Sequence, residues 1–438
     1  MGTRVRVTNR GSICQRLCRA TSGALGFAGL PCPAPARRRW PAGLHAARFF
    51  LLAACATLGS GCFFLFDPFT QCEPDAAIWI STLTSPNASD YGRALAEASN
   101  GDLIIAGHTA APASLLDIRL MRVDAAGNLK WSRTFGSEAE NEQTVRVAVM
   151  PNRDLLVLAA IGHAYDTLGR ADYLLVRTDV SGVARWERRF GGDRNDVPAA
   201  MVLLPEGPLV LGTTESTGAG GFDLQLIQMD FDGNETWSRT YGGAADDEAI
   251  GLVATGDGGF ALLGTSASFG DGRDALYLVK TDALGEVQWY ETYGPLGGRV
   301  ARAFQPAPDG GFVVAGHENN TPFLMKVDAS GDPIWERELP VEIFRTVEAL
   351  APAGDGGYYL TGTDYNFCGS TAHVTRTDAN GNIRWMRTYA PLFGTTVGYD
   401  VIVARNGDCV LAGDSDSYDF ESGFERPAIY LVRVDSDG

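Results

Sequence analysis

Hydrophobic and polar positions fall into short segments of two kinds along this chain of 438 residues. In "EVQWYETYG" (286–294) they alternate, the pattern of a strand with one buried face. In "FALLG" (260–264) nearly every position is apolar, so both faces of that strand are covered. "DEAIGLVAT" (247–255) follows a Gly-Gly loop and leads through a tight "GDGG" turn into "FALLG". After a variable loop comes "DALYLVKTD" (274–282). These segments predict a unit of four strands, and no long helical period competes with it. "DYGRALAEASN" (90–100) favours helix by propensity, but its place in the repeat predicts an inner strand.

The unit recurs. Trp79, Trp131, Trp186, Trp237, Trp289, Trp335 and Trp385 are spaced by 52, 55, 51, 52, 46 and 50 residues, and 53 more follow Trp385. Ahead of six of them stands Asp-x-x-Gly-x-x-x-Trp, as in "VDAAGNLKW" (123–131) and "TDVSGVARW" (178–186). The Asp accepts from the backbone two residues on and the Gly takes positive φ, which makes a short turn. The turn residues are Asp124, Asp179, Asp230, Asp282, Asp328, Asp378 and Asp435. Each Trp falls at one strict place in an outer strand, so we read the series as wedges between units rather than as a sugar-stacking ladder.

Four-stranded antiparallel sheets, covered on both faces and repeated radially, describe a β-propeller. The predicted fold is all-β, with seven blades over residues 75–438. Asp435 opens a seventh turn that reaches Gly438 without a following Trp strand. "AAIWISTL" (76–83) has that strand's pattern, so the N-terminal strand is expected to complete the C-terminal blade and leave no broken edge.

The Asp-x-x-Gly-x-x-x-Trp element resembles the Trp-docking repeat of pyrroloquinoline-quinone-type propellers and outer-membrane assembly lipoproteins, which usually place one more residue between Asp and Gly. The unit as a whole, with "YGG…DD" (241–247), "DGGF" and "LVKTD", is similar to repeats of bacterial secreted and lipoprotein propellers. WD, sialidase Asp-box and Kelch patterns fit poorly. The second strand ends on a single Gly (Gly107, Gly212, Gly264, Gly316, Gly362, Gly413) where Kelch units carry a pair. The chain also lacks the adjacent cysteines of quinone dehydrogenases.

Charge divides the chain. Residues 1–61 hold nine Arg and no Asp or Glu, so the remaining 27 basic residues face 53 acidic ones, a net of −26. Such a surface repels phosphate backbones and argues against nucleic-acid partners. In "RRRWPAGLHAARFFLLAACATLGSGC" (37–62) a basic stretch precedes an apolar run of 13 residues and a Cys. That run is too short to span a bilayer and fits an export signal over 1–61, with 1–36 attributable to a misplaced start codon. The small residues before Cys resemble a lipoprotein processing box. Cys62 leaves the fuller apolar run and is the first choice for lipidation; Cys55 is the second. Phe63 stands where well-studied bacteria use Asp to retain lipoproteins in the inner membrane, so that resemblance implies the outer membrane. Residues 62–74 would be the tether.

Candidate chemistry is sparse. Asp90, Asp196, Asp247 and Asp400 precede inner strands, with Asn141 at the matching place in another unit. They are a candidate rim for a cation or ligand at the channel mouth, against the plainer reading that each caps backbone N–H groups. "DSDSYDFESGFE" (414–425) resembles a loose calcium loop, but lacks the Gly expected at its sixth position. Calcium is the one cofactor considered. His108, His163, His317 and His373 show no metal spacing, and no nucleophile elbow or phosphate loop occurs. Cys72 and Cys409 flank the same closing unit and are expected to form a disulfide in an oxidising compartment. These readings favour a monomeric, envelope-anchored platform that binds protein or glycan on its long-loop face without catalysis. A polysaccharide-acting enzyme or lectin with its site at the channel mouth is the alternative, and a purely structural envelope protein another.

Overall fold

The computed structural model describes residues 77–85, 88–111, 115–137, 139–162, 170–270, 275–294, 299–340, 346–366, 369–389, 395–419 and 424–437. Every regular element among them is a β-strand. The first blade is formed by β2 (Ser89–Glu97), β3 (Leu103–Ala110), β4 (Asp117–Val123) and β5 (Leu129–Phe135). Blades two to six are β6–β9 (141–190), β10–β13 (196–241), β14–β17 (247–293), β18–β21 (299–338) and β22–β25 (349–389). The last blade joins β26 (Thr395–Val403), β27 (Cys409–Asp419) and β28 (Phe424–Val434) to β1 (Trp79–Leu83). Trp79 pairs with Arg433 and Leu83 with Ile429, antiparallel, so the expected closing strand is in place. The first strands of successive blades touch all the way round, from β2 through β6, β10, β14, β18, β22 and β26 back to β2. The chain is a seven-bladed β-propeller.

The core lies between blades. The second strand of blade two, Leu155–Gly162, is buried at every position, because both faces of its sheet carry neighbours. Val253 and Leu263 of blade four pack with Phe312 and Val314 of blade five, and similar clusters join the other pairs. Each fully buried Leu, Val or Phe contributes about 1.5–3 kcal/mol.

The tryptophans dock across the blade boundary. Each Asp-x-x-Gly turn is held by its Asp: Asp124 Oδ1 accepts from the N–H groups of Ala126 (2.9 Å) and Asn128 (2.8 Å). The turn Gly then takes φ between +78° and +92° in six blades. The Trp of the preceding blade lies on that Gly. A Cβ built on Gly182 would sit 2.8 Å from Trp131 Cζ3, and one on Gly127 would sit 3.0 Å from Trp79 Cε3. In the seventh contact, Trp385 Nε1 donates to Ser436 O (3.3 Å), just as Trp79 Nε1 donates to Ala125 O (3.2 Å). The Trp ladder is therefore packing. In five blades an Arg two residues beyond the Trp covers it, as Arg188 does Trp186 with 5.4 Å to the ring centre.

The short turns on the same face are tied by charge. A cation of the third strand meets an Asp of the first hairpin turn in six blades, as in Arg122–Asp102 (2.7 Å), Arg177–Asp154 (2.7 Å), Lys280–Asp257 (2.9 Å) and Arg433–Asp408 (2.8 Å). In the third blade Gln228 replaces the cation and donates to Pro208 O. Three of these arginines also reach the next blade's turn: Arg122 to Val180 O, Arg177 to Phe231 O and Arg433 to Ala125 O.

The docking glycine carries two demands at once, positive φ and room for the indole. Gly182→Ala is expected to lower stability by about 1–3 kcal/mol. Gly256→Ala, where nothing lies within 4 Å of a built Cβ, should stay within about 0.5 kcal/mol of the parent. Urea unfolding midpoints of the two variants check this.

Candidate functional site

The other face carries the Gly-Gly loops between blades and the loops between second and third strands. Register shows which residues share a place there. Asp90, Asp196 and Asp247 each stand two residues ahead of a bulge in the inner strand. Glu142 holds that place in blade two, Arg299 in blade five and Thr396 in blade seven. Asn141 is one residue early: with Asn195 and Asp246 it accepts from an N–H near the start of the previous blade's third strand.

Asp400 is also misplaced. It follows the bulge, four residues beyond the rim position, and its Oδ2 accepts from Leu95 N (2.7 Å). It pins the last inner strand to the first. Burial raises its carboxyl above the usual range, with Arg146 opposing.

The rim acids build loops. Asp196 accepts from Gly192 N (2.6 Å), Ser216 Oγ (2.7 Å) and Thr214 Oγ1. Asp247 Oδ2 accepts from Gly243 N (2.7 Å). Asp90 is wholly buried, with Arg119 Nε 3.6 Å away as its ion-pair partner. The sequence reading missed a second acid beside three of them. Asp117, Asp172 and Asp223 open the third strands, and each approaches the loop capped by the next blade's Glu142, Asp196 or Asp247. A Cβ on Gly242 would lie 1.8 Å from Asp223 Oδ1 and 2.7 Å from Asp247 Oδ2. Burial pushes the Asp223 carboxyl up, the N–H groups of Ala219 and Gly220 oppose this, and the Asp247 charge adds to it. Glu142 is pushed up to about 7 by burial and by the Asp117 and Glu140 charges, against its hydrogen bond from Ser137. The signal was present in the recurring Asp of "DIRLMRVD", "DYLLVRTD" and "DLQLIQMD".

Bulges give the inner ring a second feature. In six of the seven inner strands one extra residue is left out of the ladder and re-aimed, as bulges do beside functional sites. Blades two to four place Val145, Ala199 and Ile250 there, whereas blades one, five and seven place Arg93, Arg302 and Tyr399. The second-strand glycine makes the bulge possible: a Cβ on Gly107 would lie 1.7 Å from Tyr91 O. At the seam between the last and first blades two bulge residues meet, with the Arg93 guanidinium over the Tyr399 ring at 3.8 Å. Arg93 Nη1 donates to Asp414 Oδ2 (2.7 Å), and Gly92 N donates to Asp414 Oδ1 (2.8 Å). Burial pushes the Asp414 carboxyl up to about 6 even against Arg93. Tyr91 stacks on His108 with 4.9 Å between ring centres, and burial holds the His108 imidazole down at about 3. Tyr91, Arg93, Tyr399 and Asp414 line a cleft of about 290 Å³ with Thr395 and Asp416. A wider, open cleft of about 520 Å³ lies between the loops of blade three, with Asp193, Arg194, Glu215 and Thr217 in its walls.

Three further expectations meet the structure here. Cys409 is a free thiol, wholly buried against Tyr359, Val374 and Tyr389, and burial raises its pKa. It opens β27 just after the 405–408 turn, and its side chain packs into the interface between blades six and seven. Cys72, Cys55, Cys62 and the rest of 1–76 lie outside the described residues, as do His163 and Cys368. Within 414–425, Asp414–Asp419 pair antiparallel with Phe424–Ile429, which extends β27 and β28, and residues 420–423 lie outside the described residues. Among the described residues no group of three or more His, Cys, Asp or Glu could hold a metal ion.

No family model matches the chain. A segment of 164 residues is 23% identical to regulatory protein FlaEY of Caulobacter vibrioides, covering 32% of this chain and 17% of that protein. The chain thus spans under a fifth of that relative's length. Among solved structures, polysaccharide lyase Uly1 aligns at a TM-score of 0.51 and 12% identity over 78% of this chain and 90% of its own. A protein of unknown function from Dyadobacter fermentans aligns at 0.48 and 8% identity over 82% of this chain and 98% of its own. At such identity the likeness to Uly1 speaks for the fold alone.

The raised Glu142 carboxyl sets a pH dependence. A folded-state pKa of about 7 against an ordinary 4.5 means its contribution is complete below 4.5 and is lost as pH rises toward 7. Glu142→Gln should remove that decline, and the difference between variant and parent urea midpoints, followed across this window, checks it. A difference that does not change with pH would contradict the assignment.

Proposed function

We propose that this protein is an envelope lipoprotein, lipidated at Cys62, whose propeller is a non-catalytic binding platform that presents its long-loop face. The observation that carries the reading is how the two faces spend their charged groups. On the short-turn face the third-strand cations and the hairpin-turn acids pair with each other in six of seven blades. That face supports the ring. On the long-loop face Asp196 and Asp247 accept from loop N–H groups, and neither they nor Asp223 line either cleft. An enzyme acting at the channel mouth needs an acid and a base that reach substrate; Asp223 and Asp247 lie under the loops with 1% and 0% exposure, and Asp414, beside Asp416 in the seam cleft, is engaged by Arg93 and by Gly92 N. Open to a partner are the seam cleft, the blade-three cleft and the loops around them.

Orientation follows from the strand that closes the ring. β1 runs from the short-turn face, so a tether ahead of it leaves from that side. The thirteen residues 62–74 span at most about 43–47 Å. The long loops then face away from the membrane, which we place at the outer membrane by the resemblance at Phe63.

Two measurements test the reading. Cys62→Ala should move the protein from the membrane to the soluble fraction, while Cys55→Ala should leave it membrane-bound; palmitate labelling that survives Cys62→Ala would transfer the anchor to Cys55. The released Cys62→Ala chain should co-sediment with isolated bacterial envelopes in a saturable way, leaving the length distribution of envelope polysaccharide unchanged. Non-saturable sedimentation, or shortened polysaccharide, would contradict a non-catalytic platform.

A further inference from the structure

The seam cleft has hydrogen-bonding capacity to spare. Arg93 uses Nη1 on Asp414 and on Gly92 O; its Nε and Nη2 make no hydrogen bond among the described residues. Asp416 is exposed and takes one bond, from Thr395 Oγ1 to Oδ2 (3.2 Å). Donors and acceptors therefore stand side by side, with the rings of Tyr91 and Tyr399 in the same walls.

Charge decides among ligand classes. The cation of the lining, Arg93, is already paired at 2.7 Å, and a second carboxylate, Asp416, stands beside the pair. An anion meets repulsion here. A cation meets Arg93 against the Tyr399 face, which is the place it would otherwise occupy. A neutral polyol fits both restrictions. Each hydroxyl of a vicinal diol can accept from a guanidinium N–H and donate to a carboxylate, and the charged partner strengthens each bond. The apolar C–H groups of a pyranose ring can pack against the edges of Tyr91 and Tyr399, since Arg93 already lies over the Tyr399 face. The cleft volume of about 290 Å³ suits one ring rather than a long segment.

We propose that the seam cleft binds one ring of a neutral polysaccharide chain, holding a vicinal diol between Arg93 and the carboxylates of Asp414 and Asp416, with Tyr91 and Tyr399 against the sugar. The site exists only in the closed ring. Tyr91 and Arg93 come from the first blade, while Thr395, Tyr399, Asp414 and Asp416 come from the last. The inference rests on the binding reading above and names the ligand class.

The test is calorimetric titration of the full chain in mild detergent with neutral tetrasaccharides of the gluco, manno, xylo and chito series, and with tetragalacturonate as the acidic comparison. At least one neutral tetrasaccharide should bind, and tetragalacturonate should not. Tyr399→Ala should weaken binding about tenfold by removing the ring that holds the Arg93 guanidinium in place, and Tyr399→Phe should keep it. Asp416→Asn, at an exposed position, should weaken it about fivefold and keeps the test valid should Tyr399→Ala misfold. Absence of binding by every neutral tetrasaccharide, preference for tetragalacturonate, or binding indifferent to both Tyr399→Ala and Asp416→Asn would overturn the proposal. If envelopes still bind saturably in that case, the platform reading stands and only the ligand class fails.

Discussion

An indole ring laid on a glycine of the next blade is the contact on which the rest of the ring depends. It fixes three things together. The Gly must lack a side chain because the indole lies where Cβ would be, as at Gly182 under Trp131. It must accept positive φ because the Asp-x-x-Gly turn requires it. And the outer strand must carry Trp at one register, or the ring misses its seat. Because every blade both gives a Trp and receives one, the contact closes only when the last turn seats Trp385 and the first turn seats Trp79. That links the two ends of the described chain more tightly than the β1–β28 ladder alone.

The two faces diverge for a physical reason. The short-turn face repeats the same solution in nearly every blade: a buried third-strand cation, an acid in the hairpin turn and an Asp-held outer turn. Removing either member leaves a desolvated charge without its partner, so variation there is costly. The long-loop face is held by capping of backbone N–H groups, which Asp, Glu, Asn or Thr can each supply. Variation is tolerated, and the bulge residues of the inner strands can differ from Ile250 to Tyr399 to Arg93. Individual character is therefore concentrated where three of the bulges carry Arg302, Tyr399 and Arg93.

Much of the ring was legible in the sequence because its determinants are periodic. The Trp spacing, the turn Asp and the apolar second strand predicted four strands per blade, and the pattern of 76–83 predicted the closing strand. Even the helix-prone 90–100 was assigned correctly as strand by register, since Ser89–Glu97 is β2. The candidate site was far less visible. Asp90, Asp196 and Asp247 share one register position, but Asp400 stands four residues beyond it in the last blade, where Thr396 holds the place. Asn141 stands in for Glu142 in the sequence pattern because the connection ahead of it is one residue longer: Phe135 to Glu142 is seven residues, Phe190 to Asp196 six. The seam cleft brings Arg93 beside Tyr399 and Asp414, more than 300 positions away in sequence. No local pattern links them; only ring closure does.

Hydrogen exchange of a Trp79→Ala variant, followed by mass spectrometry segment by segment, tests the central claim that Trp docking seals the ring. The account predicts faster exchange confined to the seam: β1, β28, the turn at 124–127 and the adjoining start of β2, with blades three to five unchanged. Exchange that stays slow at the seam, or that rises equally in all blades, would contradict it.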